Sequence, residues 1–294
     1  MLKTQTRKGL ILAGGLGTRL RPITNAVSKQ LLPIYDKPMI YYSITTLMLA
    51  GIKDFLLITC PEDKNMFLKL LGDGSRWGVN IDYAIQDKPK GLAEAFIIGE
   101  EFIGDNPVVL ILGDNLFHGD GLSKLLMESN LNNEKSTIFL YQVNDANRYG
   151  VAEFNKSGEV LNIEEKPKEP KSNYAVTGIY FYCNDVVAKS KLLKPSERGE
   201  LEITDLNNIY IKERKLNAKI MNRGMTWLDT GTFDSLHEAS SYIKTIETRQ
   251  GLKIGCPEEV AWRKGFINRD KVYELAQPLK NSGYGDYLMN LLKY

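Results

Sequence analysis

The residues with the clearest potential for chemistry lie in a glycine-rich stretch near the start of the chain. The apolar run from Leu10 to Ala13 has the length of a buried strand, and it stops at Gly14 and Gly15. Glycines have no Cβ, so their backbone N–H groups can close on phosphate oxygens. Basic groups beside such a turn add the charge that a triphosphate needs. Three of them follow within a few residues, at Arg19, Arg21 and Lys29.

An ordinary strand-to-loop connection with solvated arginines is the alternative, because short glycine motifs often arise by chance. The stretch is not a Walker A loop, since no Gly-Lys-Ser/Thr ends it. It is not a dinucleotide-binding fingerprint either, since Leu20 stands where the third glycine would fall. The cations, together with Pro22 and Pro33, favour a phosphate site over the plain loop.

Two aspartates follow strand-like segments in distant parts of the chain. Asp114 comes directly after the apolar run 108–112, in Leu-Gly-Asp-Asn, at the strand end where open α/β sheets place their ligands. Asp229 stands in Trp-Leu-Asp-Thr-Gly, just before a long predicted helix. Either residue could simply cap a turn or a helix. If the two converge, they offer what Mg²⁺ binds, which is one or two carboxylates plus phosphate oxygens and water.

The segments that must position these residues alternate between strand and helix in the first half of the chain. Apolar strands are predicted at 54–60, 80–86, 108–112 and 137–143, with helices at 39–50, 61–71, 92–103 and 121–131. The first helix is predicted to begin with Asp36 as its N-cap and Pro38 in its first turn. This alternation predicts an α/β fold, a Rossmann-like, mostly parallel sheet covered by helices on both faces.

The second half of the chain changes character. Extended runs at 151–154, 159–165 and 174–183, with turns between them, predict a small antiparallel excursion. A helix at 202–214, a strand at 218–221 and a long helix at 233–249 follow. Only short helical pieces remain beyond residue 251, so we predict a catalytic domain at 1–250 and a C-terminal helical appendage at 251–294. The aromatic residues of this appendage could pack on the catalytic domain or form a subunit contact.

Composition excludes several classes of protein. At 294 residues, with 43% hydrophobic and 25% charged residues, the chain is an ordinary globular one, and its net charge of +2 argues against bulk nucleic-acid binding. The three cysteines are far apart, so neither a zinc site nor a disulfide framework is indicated. We expect no signal peptide, because the start from Met1 to Lys8 is polar, and no apolar run has transmembrane length. We therefore expect no membrane partner and a cytoplasmic location.

The glycine-rich stretch also carries a resemblance to a known family. Gly-Gly-x-Gly-Thr-Arg-Leu, Pro22 shortly after it, and Lys29-Gln30 leading to Pro33 resemble the sugar-phosphate nucleotidyltransferases. The resemblance runs from about Lys8 to Arg249. It implies an enzyme in which a sugar 1-phosphate attacks the α-phosphorus of a nucleoside triphosphate in line and releases pyrophosphate, with Mg²⁺ as cofactor.

The resemblance also implies a role for individual residues. The metal aspartates match Asp114, which is also expected to touch substrate, and Asp229. The catalytic cations match Arg19 at the leaving pyrophosphate, Lys29 at the triphosphate and Lys166 at the sugar phosphate. The remaining substrate-binding positions match Gly14, Gly15, Gly17, Thr18 and Gln30 near the triphosphate, Gln86 and Gly91 at the base, and Tyr149, Gly150, Glu165 and Val176 at the sugar. The base-reading region departs from the family pattern, because Asp87 to Lys90 and Glu94 make it more charged.

Histidines are scarce, and neither His118 nor His237 has the partners of a nucleophile. This scarcity fits the implied chemistry. A sugar 1-phosphate has a second pKa near ~6, so its attacking oxygen is already anionic at neutral pH and needs no general base.

The segment Cys256-Pro-Glu-Glu-Val-Ala-Trp is similar to the thymidylyltransferase branch of the family. This similarity implies dTTP and glucose 1-phosphate as small-molecule substrates. It also implies a homotetramer, with a second nucleotide-sugar site near the subunit contacts. The alternatives are a uridylyl- or cytidylyltransferase and a non-catalytic nucleotide-sugar sensor. An NAD-binding oxidoreductase is a more distant alternative, weakened by the missing third glycine.

Overall fold

The computed structural model describes residues 6–293. Residues 1–5 and 294 lie outside the described residues. They include most of the polar start and the extreme ends of the predicted catalytic domain and C-terminal appendage. Along the described part the strands are β1 (Lys8–Ala13), β2 (Pro33–Ile34), β3 (Lys37–Pro38), β4 (Asp54–Thr59), β5 (Asn80–Ile85), β6 (Val108–Leu112), β7 (Asn115–His118), β8 (Ser136–Gln142), β9 (Gly150–Phe154), β10 (Val160–Glu165), β11 (Tyr174–Tyr182), β12 (Leu216–Ile220) and β13 (Thr226–Asp229).

The α-helices lie between and after these strands. They are α1 (Ile40–Leu49), α2 (Lys64–Leu71), α3 (Glu94–Ile98), α4 (Glu100–Ile103), α5 (Leu122–Leu131), α6 (Val186–Lys191), α7 (Ile203–Lys212), α8 (Phe233–Gln250), α9 (Pro257–Arg263), α10 (Arg269–Ala276) and α11 (Gly283–Leu291). Within residues 6–293 no helix is both long and apolar enough to cross a membrane.

A nine-stranded sheet forms the centre of the described structure. Its main path runs β10-β9-β11-β6-β1-β4-β5, and β8 joins it through β11 and carries β12 on its other side. Strands β6, β1, β4 and β5 are parallel. Strand β11 turns the sheet antiparallel, and the β9–β10 hairpin extends it. The predicted parallel sheet with an antiparallel excursion is confirmed.

Hydrophobic cores lie on both faces of this sheet, because alternate residues of a buried strand point to opposite sides. On β1, Ile11 packs toward α1, whereas Leu10 and Leu12 pack toward α3 and α7. Strand β6 repeats the pattern, with Val109 and Ile111 on the first face. Because β6, β1, β4 and β5 run parallel, their carboxyl ends lie at one edge of the sheet, and the loops that follow them meet there.

Three local predictions were wrong. Asp36 is not the N-cap of α1, because residues 33–38 form the small β2–β3 hairpin and α1 starts after Met39. The hairpin is held by buried Lys37, whose ammonium pairs with Glu247 at 2.9 Å. The helix predicted at 92–103 divides at Gly99 into α3 and α4. The helix predicted from Pro61 begins only at Lys64.

The C-terminal helices pack on the rest of the chain. Ala261 of α9 lies in the same core as α1, and the buried Trp77 indole N–H donates to Glu258 Oε1 at 3.0 Å. Glu258 also accepts from the Tyr284 hydroxyl of α11 at 2.6 Å. Packing on the catalytic domain is thus one role of this segment. The division at residue 250 stays a prediction.

Candidate active site

A cleft lies at the carboxyl ends of the parallel strands, where β1 runs into the glycine-rich stretch and β6 runs into Asp114. It has a volume of about 690 Å³ and continues into a smaller pocket of about 180 Å³. The larger part is lined by the predicted residues Gly15, Arg19, Asp114, Tyr149, Gly150, Glu165, Lys166, Val176 and Asp229. The smaller part adds Lys29, Gln30, Gln86 and Gly91.

Three predicted residues do not line this cleft. Gly14 is buried beneath it, where a Cβ would lie 2.9 Å from the Gln86 Oε1 atom. Gly17 has a φ of 58°, in the left-handed region that glycine tolerates, and it precedes the short 3-10 helix Thr18–Leu20. Gly17 and Thr18 therefore shape the turn that carries Arg19.

The two aspartates come together through a pair of strands that the sequence did not predict. Strands β7 and β13 are antiparallel, and their register sets Asp229 opposite Asn115. The hydroxyl and the backbone N–H of Thr230 both donate to the Asp114 carbonyl oxygen, at 2.8 and 3.2 Å. Residues more than a hundred positions apart thus share one edge of the cleft.

The charges of the two carboxylates oppose each other. Burial and the nearby negative charge of Asp114 raise the pKa of Asp229. Burial also disfavours the charged form of Asp114. The Lys29 ammonium, which pairs with this carboxylate, and a hydrogen bond from Asn115 outweigh that effect and hold the pKa of Asp114 below its ordinary value. One cation therefore already stabilises one carboxylate, and the second carboxylate is left with a repulsive neighbour.

This pair fits a divalent cation such as Mg²⁺. Both groups are hard oxygen donors, and a cation between them would relieve the repulsion that raises the pKa of Asp229. Within residues 6–293 no group of three or more His, Cys, Asp or Glu side chains forms a cage for a metal. A metal here would need further oxygen ligands from substrate phosphate or water, which is the usual way in which Mg²⁺ is held.

Asn115 is a functional residue that the sequence analysis missed. Its Oδ1 accepts from the Trp227 indole N–H at 2.5 Å and from the Gly178 backbone N–H at 3.2 Å. These bonds orient its amide so that Nδ2 donates to Asp114 Oδ1 at 2.9 Å. The only signal in the sequence was its position directly after Asp114.

Arg19 lies close to Asp229. A Cβ on Gly231 would make a tight contact of 3.2 Å with Asp229 Oδ1 and an ordinary contact of 3.5 Å with Arg19 Nη1. The Arg19 guanidinium itself is exposed and can reach an anion in the cleft. Gly231 therefore lies next to both the arginine and the carboxylate.

The β9–β10 hairpin positions the residues on the opposite wall. Its register pairs Glu165 with Gly150, and the backbone N–H of Lys166 donates to the Tyr149 carbonyl at 3.0 Å. The Thr204 hydroxyl donates to Glu165 Oε2 at 2.6 Å and fixes that carboxylate. Lys166 is exposed, with its ammonium 3.5 Å from Glu165 Oε1.

Arg198 is a second residue that sequence reasoning missed. It lies on the loop before α7, lines the cleft, and places Nη2 3.6 Å from Glu165 Oε1. The same guanidinium is anchored by Glu202 at 2.8 Å. No motif marks this loop in the sequence, since Ser-Glu-Arg-Gly-Glu reads as an ordinary solvated turn.

Comparisons with known proteins identify relatives of this chain. The nucleotidyl transferase family model matches residues 8–246. A glucose-1-phosphate thymidylyltransferase of Neisseria meningitidis is 55% identical over 286 residues, covering 97% of this chain and 99% of the relative. One of Mycobacterium tuberculosis is 54% identical, with the same coverage.

Solved structures also match the fold of this chain. A crystal structure of a Bacillus anthracis protein assigned as a glucose-1-phosphate thymidylyltransferase, in complex with sucrose, has a TM-score of 0.74 and 44% identity, covering 81% of this chain and 95% of its own. A UDP-glucose pyrophosphorylase complexed with UDP-glucose has a TM-score of 0.71 and 28% identity, covering 82% and 99%. The chain therefore belongs to the nucleotidyl transferase family, whose enzymes act on nucleotide and sugar-phosphate substrates and generally use a divalent metal.

Proposed function

We propose that this protein condenses dTTP with α-D-glucose 1-phosphate to give dTDP-glucose and pyrophosphate. The observation that carries the proposal is the meeting of Asp114, Asp229, Lys29 and Arg19 at one edge of the cleft, opposite Lys166. The carboxylate pair with Lys29 and Arg19 lies on one side of the cleft, and Lys166 lies on the other. This arrangement suits a triphosphate and a sugar phosphate that are held in line for attack. The high identity to glucose-1-phosphate thymidylyltransferases supports this choice of nucleotide and sugar.

The reaction needs alignment and neutralisation of charge more than proton transfer. An oxygen of the sugar phosphate attacks the α-phosphorus, a new P–O bond forms, and the bond to the β-phosphate oxygen breaks, so that pyrophosphate leaves with the electron pair. The attacking oxygen is anionic because the second pKa of such a phosphate is about 6. No histidine lines the cleft among the described residues, in keeping with a reaction that needs no general base.

The residues divide the work by position. Backbone N–H groups of the turn from Gly14 to Arg19 and the Lys29 ammonium hold the triphosphate. Arg19 neutralises the charge that develops on the leaving pyrophosphate. Across the cleft, Lys166 holds the sugar phosphate and Glu165 accepts from a sugar hydroxyl, with Arg198 near enough to assist Lys166. Tyr149, Gly150 and Val176 line the sugar side.

The divalent metal is proposed to be Mg²⁺, held by Asp114 and Asp229. When bound, it would neutralise phosphate charge and favour one arrangement of the triphosphate. The chain itself prepares for the metal through Asn115 and Thr230, which fix the Asp114 side chain and backbone.

Release of pyrophosphate, measured with glucose 1-phosphate and each nucleoside triphosphate in turn, tests the proposal. We expect turnover with dTTP to be fastest and to require a divalent metal. A preference for UTP or CTP would make the protein a uridylyl- or cytidylyltransferase. Tight binding of dTDP-glucose without any turnover would make it a sensor.

We also propose a cytoplasmic homotetramer with feedback control, divided into a catalytic domain at 1–250 and a C-terminal helical segment at 251–294. A second cavity of about 520 Å³ lies away from the active site, between α1, β7 and α9. Lys253, Arg263 and Lys264 line it. Lys253 pairs with Glu247 and Arg263 with Glu259, and we propose that an anionic ligand joins these charges. Sedimentation of the intact protein tests the tetramer. Inhibition by dTDP-rhamnose, compared between the intact protein and an Arg263→Ala variant, tests the second site.

A further inference from the structure

Arg148 contributes a further cation to the cleft. It ends the short 3-10 helix Ala146–Arg148, directly before Tyr149 and β9, and it lines the larger part of the cleft. Its guanidinium lies over the Tyr149 ring, 5.6 Å from the ring centroid, and that ring meets the Trp227 indole edge to face, with 5.1 Å between centroids. The Tyr149 carbonyl accepts from the Lys166 backbone N–H at 3.0 Å. Arg148 therefore belongs to the same wall of the cleft as Lys166.

The carboxylate that pairs with Arg148 lies outside the cleft. Arg148 Nη1 donates to Asp145 Oδ2 at 2.8 Å. Asp145 is exposed and does not line the cleft. An ion pair between two exposed side chains contributes little free energy, because water competes for both charges. Arg148 can therefore exchange Asp145 for an anion in the cleft with little loss of stability.

The charge of Arg148 also reaches the proposed metal site. Burial and the charge of Asp114 raise the pKa of Asp229, and nearby cations, Arg148 among them, oppose that rise. The effect is mutual, because the hydrogen bond to Asp145 and the charge of Asp229 both raise the pKa of Arg148. Arg148 thus lies between the wall that carries the sugar-side residues and the carboxylates across the cleft.

The other cations of this wall are already paired with carboxylates of the cleft. The Lys166 ammonium lies 3.5 Å from Glu165 Oε1, and the Arg198 guanidinium pairs with Glu202 at 2.8 Å. Since both carboxylates also line the cleft, these two pairs bring no net charge to it. A sugar 1-phosphate carries a charge of about −2 at neutral pH, so it is best matched by a cation whose own counterion lies outside. Arg148 meets that condition.

We propose that Arg148 is a substrate-binding residue that leaves Asp145 and donates to the phosphate of the sugar 1-phosphate. The inference rests on the proposed function. The planar guanidinium can bind two oxygens of one phosphate, so it fixes the orientation of the phosphate as well as balancing its charge. Lys166 and Arg148 then hold the attacking phosphate between them.

Arg148→Gln tests the inference, because glutamine removes the charge from an exposed position where the fold does not depend on it. We expect KM for glucose 1-phosphate to rise by at least about tenfold, the scale of one hydrogen bond to a charged group. KM for dTTP should change by less than about threefold. Arg148→Lys should recover part of the loss, since lysine restores the charge without the planar fork.

Asp145→Asn is the matched control, because it breaks the same ion pair and leaves the arginine in place. Its KM for glucose 1-phosphate should equal that of the wild type or lie below it. An equal rise in both variants would mean that the ion pair only supports the loop, and it would overturn the inference. An Arg148→Gln protein whose KM for glucose 1-phosphate is unchanged, or whose loss is confined to dTTP, would overturn it as well. A wild type that releases no pyrophosphate from any nucleotide would instead overturn the proposed function.

Discussion

At the residue scale, the site depends on a few charges that the fold holds closer than they would stay in water. Lys29 pairs with Asp114, whereas Asp229 faces Asp114 and, within residues 6–293, has cations nearby but no ion pair within 4 Å. Opposite shifts in the pKa values of the two carboxyls result from that asymmetry. Such a pair binds a cation well because both oxygens are fixed before the cation arrives.

Asp114→Asn and Asp229→Asn should each abolish turnover and leave the fold intact, because each removes a negative charge from the proposed metal site. Asp120→Asn, an exposed change just past β7, is the control and should retain full activity. Pyrophosphate release and circular dichroism provide the two measurements. Near wild-type rates in either variant, still dependent on Mg²⁺, would remove that residue from the metal site.

The pKa of Asp229 should fall when Asp114 becomes Asn, because a neutral amide no longer repels the ionised form. NMR titration of labelled aspartates in the metal-free protein measures this. Asp229 should titrate above its ordinary value in the wild type and nearer to it in the variant. An unchanged value would mean that burial alone raises the pKa.

Arg19→Lys should lower kcat by roughly two orders of magnitude, since lysine keeps the charge but loses the planar fork that grips phosphate oxygens in pairs. Arg21→Lys is the matched control, because Arg21 is exposed in the same stretch but does not line the cleft. Steady-state kinetics with both substrates measure kcat and KM for the two variants and the wild type. An effect on KM alone would assign Arg19 to substrate binding.

At the scale of elements, the two walls of the cleft are joined through their loops. The Leu201 backbone N–H donates to the Lys90 carbonyl at 2.7 Å, and the Ala93 N–H donates back to the Leu201 carbonyl at 3.2 Å. Gly91 lies between these bonds with a φ of 101°. The loop around Gly91 and the loop that carries Arg198 are therefore one hydrogen-bonded unit.

Gly91→Ala should break this unit, because its Cβ would lie 2.4 Å from the Leu201 carbonyl oxygen. We expect kcat/KM to fall by at least about tenfold, since a small displacement of positioning groups is costly. Gly251→Ala is the control, with a positive φ of 69° but no atom within 4 Å of the added Cβ. Both variants carry the strain of a left-handed residue, about 1 kcal/mol, so only the excess in Gly91→Ala reports the clash.

At the scale of the whole molecule, the C-terminal helices complete the core of the catalytic domain. Trp77 is fully buried, and its indole N–H and the Tyr284 hydroxyl both depend on the Glu258 carboxylate. Lys253 adds a second contact, an ion pair with Glu247 of α8 at 3.0 Å. Removing the whole segment would expose this core, so single substitutions give the cleaner test of its role.

Glu258→Ala should lower the free energy of unfolding by about 2 kcal/mol, because the buried Trp77 indole N–H loses its acceptor and the Tyr284 hydroxyl keeps only the Cys256 sulfur at 3.2 Å. Urea denaturation followed by Trp fluorescence measures the loss. Glu238→Ala, an exposed change on α8, should have almost no effect. Equal stability of both variants would show that the contact between Trp77 and Glu258 contributes little.

The sequence by itself determined the fold class, and it predicted most of the residues that line the cleft at the carboxyl ends of the parallel strands. Strand and helix periodicity, the glycines after β1 and Asp114 after β6 are local patterns, and local patterns are what a sequence records directly. The tertiary structure decided what depends on pairing between distant segments. The β7–β13 register brings Asp229 to Asp114, the loop around Arg198 reaches Glu165, and Glu94 meets Gln86 because a helix start packs beside a strand end. The error at Asp36 has the same cause, since buried Lys37 is held by a glutamate 210 residues away, which no local signal foretells.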